Sequence, residues 1–150
     1  MNALLHAHSG LRWIVLLLMA ATIIDSAIRM YRPFKDSERK LALFALISMH
    51  TQLLIGILLY ALSPKMQHIF AKRSDDIMSD STLRFLVVEH PLMMILAVIL
   101  VTVGYSRAKR QSEHWAKHRM TFFYYLAALI LILLSIPWPF REVGAGRGWF

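Results

Sequence analysis

The 150-residue chain is 57% hydrophobic, carries a formal net charge of +8 and contains no cysteine. Soluble domains are roughly 45–50% apolar, and the excess here is gathered into blocks, which argues for a membrane protein. The missing cysteine excludes disulfides, iron–sulfur clusters, thiolate metal sites and covalent c-type haem attachment. The basic residues lie between the apolar blocks, which excludes nucleic acid as the natural partner.

The first apolar run, Leu11–Ile28, is followed by Leu41–Leu62, Phe85–Tyr105 and Phe122–Phe140. Each is close to the roughly 20 residues that a bilayer-crossing helix needs. The first reads as a retained helix and not as a cleaved signal: its first basic residue, Arg12, comes after Met1–Leu11, and the apolar stretch continues to Arg29. The expected fold is all-α, an integral membrane four-helix up-down bundle forming one domain over residues 1–150. Its helices are placed at about 9–31, 39–62, 83–107 and 113–138. The loops Arg29–Lys40 and Ser106–Arg119 hold more Lys and Arg than the opposite side. That bias predicts both termini and the Ser63–Arg84 loop on the outer, periplasmic side of a bacterial cytoplasmic (inner) membrane.

On the first helix His8, Arg12, Val15, Met19, Thr22, Ser26 and Arg29 alternate spacings of four and three, so they share a face that should look into the bundle. Asp25 and Arg29 are spaced to pair. On the second, Ser48, Gln52 and Gly56 line one face and His50 points to roughly the opposite side. On the third, His90, Met93, Met94, Ala97, Val101 and Gly104 form a face, and Pro91 should kink the helix and free the carbonyl near Val87. Glu89, about one turn inside the outer boundary, needs a partner, for which Arg12, Arg141 or a histidine ring is available. The polar connector Lys65–Ser81, with Asp75, Asp76 and Asp80, reads as solvated chain without cation-loop spacing. On the fourth helix His114, His118, Thr121, Tyr125, Ala128, Ile132, Ser135 and Pro139 share a stripe. Stripes of small and polar residues are the usual helix–helix contacts of membrane proteins.

Each span thus carries or abuts one histidine: His8, His50, His90 and His118. A polar ring in hydrocarbon needs a partner, and imidazole is the common axial ligand of haem iron. In an up-down bundle helices one and three are diagonal, as are two and four. The residues therefore admit haem b, one or two groups, with His8–His90 as the outer pair and His50–His118 as the inner, or a His50–His90 pairing. Depth counts against both first choices, with a mismatch of roughly 9 Å for the outer pair and roughly 14 Å for the inner at 1.5 Å per residue. The same histidines admit two other readings, packing within a larger assembly and a metal or proton pathway.

The segments His8-Ser-Gly-Leu-Arg-Trp13, His50-Thr-Gln-Leu-Leu-Ile-Gly56, Glu89-His-Pro-Leu-Met-Met94, His118-Arg119 and Ile136-Pro-Trp-Pro-Phe140 resemble short bacterial four-helix membrane proteins catalogued as cytochrome b-like. More distantly, the chain is similar to di-haem cytochrome b561 proteins. The resemblance implies electron transfer, with His8, His50, His90 and His118 as axial ligands. It implies that Arg12 neutralises a haem propionate, and that Glu89 orients His90 or moves a proton coupled to quinol oxidation. The implied partners are the lipid bilayer, a quinone, and a membrane protein complex or a second copy of the chain.

Overall fold

The computed structural model describes residues 2–144. It is helical throughout, with no strand among the described residues. The long helices are α1 (Asn2–Ile28), α2 (Asp36–Leu62), α6 (His90–Arg110) and α7 (His114–Ser135). Between α2 and α6 lie the short helices α3 (Pro64–Phe70), α4 (Ser74–Ser79) and α5 (Ser81–Arg84), then a π-helical turn over Phe85–Glu89. A single 3₁₀ turn, Glu142–Gly144, follows α7. Asn2–Ile28, Asp36–Leu62, Ser81–Arg110 and His114–Ser135 are each long and apolar enough to cross a membrane. In hydrocarbon only a helix satisfies its own backbone along the whole crossing.

The helices neighbour one another in the cycle α1, α2, α6, α7 and back to α1, so α1 lies diagonal to α6 and α2 to α7, as an up-down order requires. The stripes read from the sequence are the faces that meet. Val15, Met19, Thr22 and Ser26 of α1 are buried, as are Ala97, Val101 and Gly104 of α6. On α7 the stripe His118, Thr121, Tyr125, Ala128, Ile132 and Ser135 is buried whole. α6 and α7 approach closely at Gly104, where a Cβ would come within 2.4 Å of the Tyr124 Cβ. Inside this core the Tyr125 hydroxyl donates to the Ala42 carbonyl at 2.8 Å, joining the diagonal helices α7 and α2.

Two ends result. At the short-loop end, turns 29–35 and 111–113 join α1 to α2 and α6 to α7. At the long-loop end lie α3–α5, the start of α1 and the segment after α7. Three features there differ from expectation. First, α1 begins at Asn2, about two turns before residue 9, because the apolar pattern runs back through Leu4, Leu5 and Leu11. Second, the connector is not plain solvated chain, since it buries Ile69 and Ile77 and caps a helix. Asp80 accepts from the amides of Thr82 and Leu83 at 2.8 and 2.9 Å, the usual use of Asp at an N-cap. Third, α7 stops at Ser135, since Pro137 and Pro139 cannot continue its backbone bonding.

Candidate functional site at the long-loop end

The prolines of this end determine where its hydrogen-bonding groups go. In a helix each carbonyl accepts from the amide four residues on, and a proline there supplies no donor. Pro91 therefore leaves the Val87 carbonyl without its helical partner, and the Tyr60 hydroxyl of α2 donates to it at 3.0 Å. The expected disruption at Pro91 takes the form of the π turn just before it, with the His90 amide reaching back to the Phe85 carbonyl. That turn brings residues five apart together. It explains the partner of Glu89, which is neither Arg12 nor Arg141 but Arg84, five residues earlier, at 2.9 Å.

After α7, Pro137 leaves the Leu133 carbonyl to the Trp138 indole N–H, at 2.9 Å. Pro139 likewise leaves the Ser135 carbonyl, and His90 takes it: Nδ1 lies 2.7 Å away. A carbonyl only accepts, so Nδ1 carries the proton and Nε2 bears the lone pair of the neutral ring. Arg141 completes the end of α7 by donating to the Leu134 and Ile136 carbonyls at 2.5 and 3.3 Å. A cation there also complements the negative end of the helix dipole.

His8 faces His90 from the diagonal helix. Their ring centroids are 6.4 Å apart and their planes lie at 72°. The depth mismatch expected from sequence disappears because α1 starts early and places His8 well inside its helix. Gln52 of α2 donates to the His8 backbone carbonyl at 2.8 Å. The imidazole lies against Gly56, where a Cβ would stand 3.2 Å from its Cε1. His8 Nδ1 and Gln52 Oε1 are both buried without a hydrogen-bond partner, and such groups are rare and costly in a folded protein. Phe85 packs near His90 at 6.1 Å between centroids, and Trp13 near Trp138 at 6.2 Å. The Arg12 guanidinium lies 5.2 Å from the Trp13 ring and 5.9 Å from Trp138.

The other two histidines are placed apart from this pair and from each other. His50 is exposed near the middle of α2, with Nδ1 bonded to its own Leu46 carbonyl at 2.9 Å and Nε2 reaching Thr102 of α6 at 3.5 Å. His118 is fully buried at the short-loop end, its ring 4.8 Å from that of Phe34. Neither of its ring nitrogens completes a hydrogen bond, although the Arg32 carbonyl and the Glu38 carboxylate bear on it. His50 lies about four turns into α2 and His118 about one into α7, so their depths differ by roughly 15 Å at 1.5 Å per residue. His6 and His68 are exposed, and His114 accepts the Phe34 amide at 3.0 Å.

Gln52, Tyr60 and Arg84 belong to this end as much as the histidines do, and sequence reading does not assign them these partners. The signal for Tyr60 was present, since a proline in a span always leaves one carbonyl seeking a donor. The signal for Arg84 was not, because nothing in the pattern announces a π turn. No family model, curated protein or solved structure matches this chain.

The geometry has a chemical meaning. One metal between two imidazoles sets the ring centroids roughly 6 Å apart, from two metal–nitrogen bonds of about 2.0–2.1 Å plus the ring radii. The observed 6.4 Å agrees. Among the described residues no group of three or more His, Asp or Glu is placed to hold a bare ion. Two histidines alone under-coordinate zinc or copper, whereas a haem brings four nitrogens of its own and asks the protein only for the axial pair. In number, two histidines match the pair that a haem would ask of the protein and fall short of the three or four ligands of a bare zinc.

Proposed function

We propose that this chain is a b-type membrane electron carrier with one haem held by His8 and His90. The observation that supports it best is the half-buried imidazole pair at 6.4 Å, with the His90 tautomer fixed by the Ser135 carbonyl. A carbonyl that accepts from the far nitrogen of a ligating ring fixes that ring's orientation and raises its basicity. The bound group would supply one-electron chemistry. The chain's own residues do the rest. Ser135 and Gln52 hold the two histidine-bearing segments, and Trp13, Trp138 and Phe85 shield the site from water. Arg12 offers the positive charge that a propionate requires. Glu89 is engaged with Arg84, so orientation of His90 rests with Ser135 instead. A quinone in the bilayer is the proposed redox partner. The proposed location is the bacterial cytoplasmic membrane, with both termini and α3–α5 outside.

The test is an absorption spectrum of protein purified from haem-sufficient cells. A Soret band that sharpens on reduction is expected, lost in His8→Ala and in His90→Ala but kept in His50→Ala and His118→Ala. A colourless wild-type preparation sinks the proposal. Orientation is tested separately. The chain lacks cysteine, so single cysteines at Gln67 and Ser112 report their sides to an impermeant maleimide on whole cells. Labelling of the first and not the second is the expected result.

One observation favours a second reading, a non-catalytic membrane subunit packed into a larger complex. His50 and Thr51 are exposed at mid-span, and Thr51 is satisfied only by its own helix, through the Ile47 carbonyl at 3.0 Å. A polar patch facing hydrocarbon suits a partner helix. Purification as a lone, stable monomer that binds haem counts against this reading.

A further inference from the structure

The short-loop end holds a concave site of its own. A cavity of about 240 Å³ opens between the start of α2, the end of α6 and the first turns of α7. Its walls carry Lys35 and Arg39 from the α2 side, Lys109 from α6 and Lys117 from α7, with Tyr105 and Thr121 completing the lining. Asp36 is the single carboxylate among the lining residues. It is already engaged by Arg39 and by Lys40, whose ammonium lies 2.9 Å away. Lys117 is held toward the opening over the ring of Phe34, at 6.0 Å.

A loop rich in lysine and arginine is ordinary at one face of a membrane protein, and topology alone accounts for the presence of these residues. It does not account for three lysines and an arginine, from three chain segments, lining one hollow in which Asp36 is the single carboxylate. A bound oxyanion would balance that excess of positive charge. Size narrows the choice. With roughly 30 Å³ for each water, the hollow holds roughly eight waters, which is room for a phosphate and its ester oxygens. It falls below the ~300 Å³ at which pockets for larger organic ligands begin.

Position narrows it further. The cavity lies at the end of the apolar spans, the depth at which lipid phosphates sit, and basic hollows between spans are known places for anionic headgroups. It opens over the α2–α6 seam, the most sparsely packed of the four between neighbouring long helices. An acyl chain from a headgroup in the cavity has that seam to lie along.

We propose that this cavity binds a phosphoryl oxyanion, carried in the membrane by an anionic phospholipid. The test uses the full chain in nanodiscs, with phosphatidylglycerol in phosphatidylcholine as one probe and inorganic phosphate added to phosphatidylcholine discs as the other. Native mass spectrometry counts retained phosphatidylglycerol, and the thermal midpoint reads either probe. Lys109→Gln with Lys117→Gln should lower lipid retention about tenfold, the scale of losing one charge-assisted hydrogen bond. Lys109→Arg with Lys117→Arg should keep it, which separates charge from folding. Arg32→Gln with Arg119→Gln removes equal charge from the same end outside the cavity and should leave retention unchanged. Stabilisation by inorganic phosphate, lost in the same lysine variants, supports the oxyanion site and makes free phosphate its source. Equal loss of lipid from both Gln pairs overturns the proposal in favour of diffuse surface charge. So does failure of the wild-type chain to retain or respond to either probe.

Discussion

Two histidines of this bundle sit near its opposite ends, one half-buried and one fully buried, and they differ in what surrounds the ring. His90, at the long-loop end, has a carbonyl aimed at Nδ1 because Pro139 withdrew that carbonyl's helical donor. His118, at the short-loop end, is fully buried and neither nitrogen completes a hydrogen bond. The proline of that end, Pro33, stands four residues past Arg29, and the carbonyl it leaves is taken by the Arg32 amide rather than by a side chain. The last amides of α1 close back on their own chain, Arg29 on Asp25 and Arg32 on Arg29, and the charges pair within one or two turns, as Arg29 does with Asp25 at 2.7 Å. A polar side chain in a membrane bundle acquires a defined role where the backbone of another helix is left unsatisfied. Elsewhere it is closer to a tolerated core residue.

The sharpest way to break this contrast is the same substitution at both ends, made in haem-free protein. His90→Phe leaves the Ser135 carbonyl buried and alone, a cost of up to about 3 kcal/mol. In a chain of this length each kcal/mol lowers the melting midpoint by roughly 2–4 °C. His118→Phe removes a ring whose nitrogens complete no hydrogen bond, although the Arg32 carbonyl bears on it, and its midpoint should fall less than that of His90→Phe. A larger loss at His118 than at His90, in thermal melts in one detergent, would reverse the comparison.

The glycines give the next effect in size. Gly104→Ala sets a Cβ 2.4 Å from the Tyr124 Cβ, an atom fixed to the α7 backbone, and the overpacking should cost about 2 kcal/mol. Gly56→Ala meets the edge of the His8 imidazole at 3.2 Å. That contact is with a side-chain ring, which must give by a few tenths of an ångström, and not with an atom fixed to a backbone. Gly56→Ala should therefore lower the melting midpoint much less, while perturbing the His8–His90 separation and with it any haem spectrum.

Tyr60→Phe comes third, at about 1 kcal/mol, because it leaves the carbonyl that Pro91 frees at Val87. Amide exchange should quicken across the π turn, Phe85–Glu89, and stay unchanged in α7. Equal quickening in both would mean that Tyr60 supports the bundle generally rather than this turn.

These cases also separate what the sequence made legible from what it did not. The four spans, their buried stripes, the Asp25–Arg29 pair, the outward His50 and the orphan carbonyl at Val87 all follow from spacing and from proline chemistry, which act within a few residues. The His8–His90 approach was legible as a diagonal pairing but not in depth. The start of α1 depends on packing of its first two turns against α2, through Gln52 and Gly56, which lie more than forty residues away in the chain. The helices of the connector escaped for a related reason. Helices as short as α4 are unstable alone, and here Ile77 and the Asp80 cap hold them in place. The cavity of four cations was hidden because its members belong to three segments, and their convergence is a property of the fold.

The smallest effect concerns the ion pairs, and it tests whether the two ends differ in electrostatics as they do in hydrogen bonding. Arg84 and Glu89 are each 41% exposed, and Arg84 also donates to the Met78 carbonyl at 3.1 Å. Surface pairs of this kind contribute about 0–1 kcal/mol and fade with added salt. Arg84→Gln should therefore lower the midpoint slightly at low salt and negligibly at high salt. The Asp36–Arg39 pair is more exposed still, and Arg39 also lines the basic hollow. With the cavity empty Arg39 is held by Asp36 alone, so Arg39→Gln should lower the midpoint slightly at low salt, as Arg84→Gln does. In discs containing phosphatidylglycerol the loss for Arg39→Gln should grow, because the same cation then has an anion to hold. A low-salt loss of equal size for both substitutions, with or without anionic lipid, would mean that Arg39 is one more surface pair and that the hollow has no electrostatic character of its own.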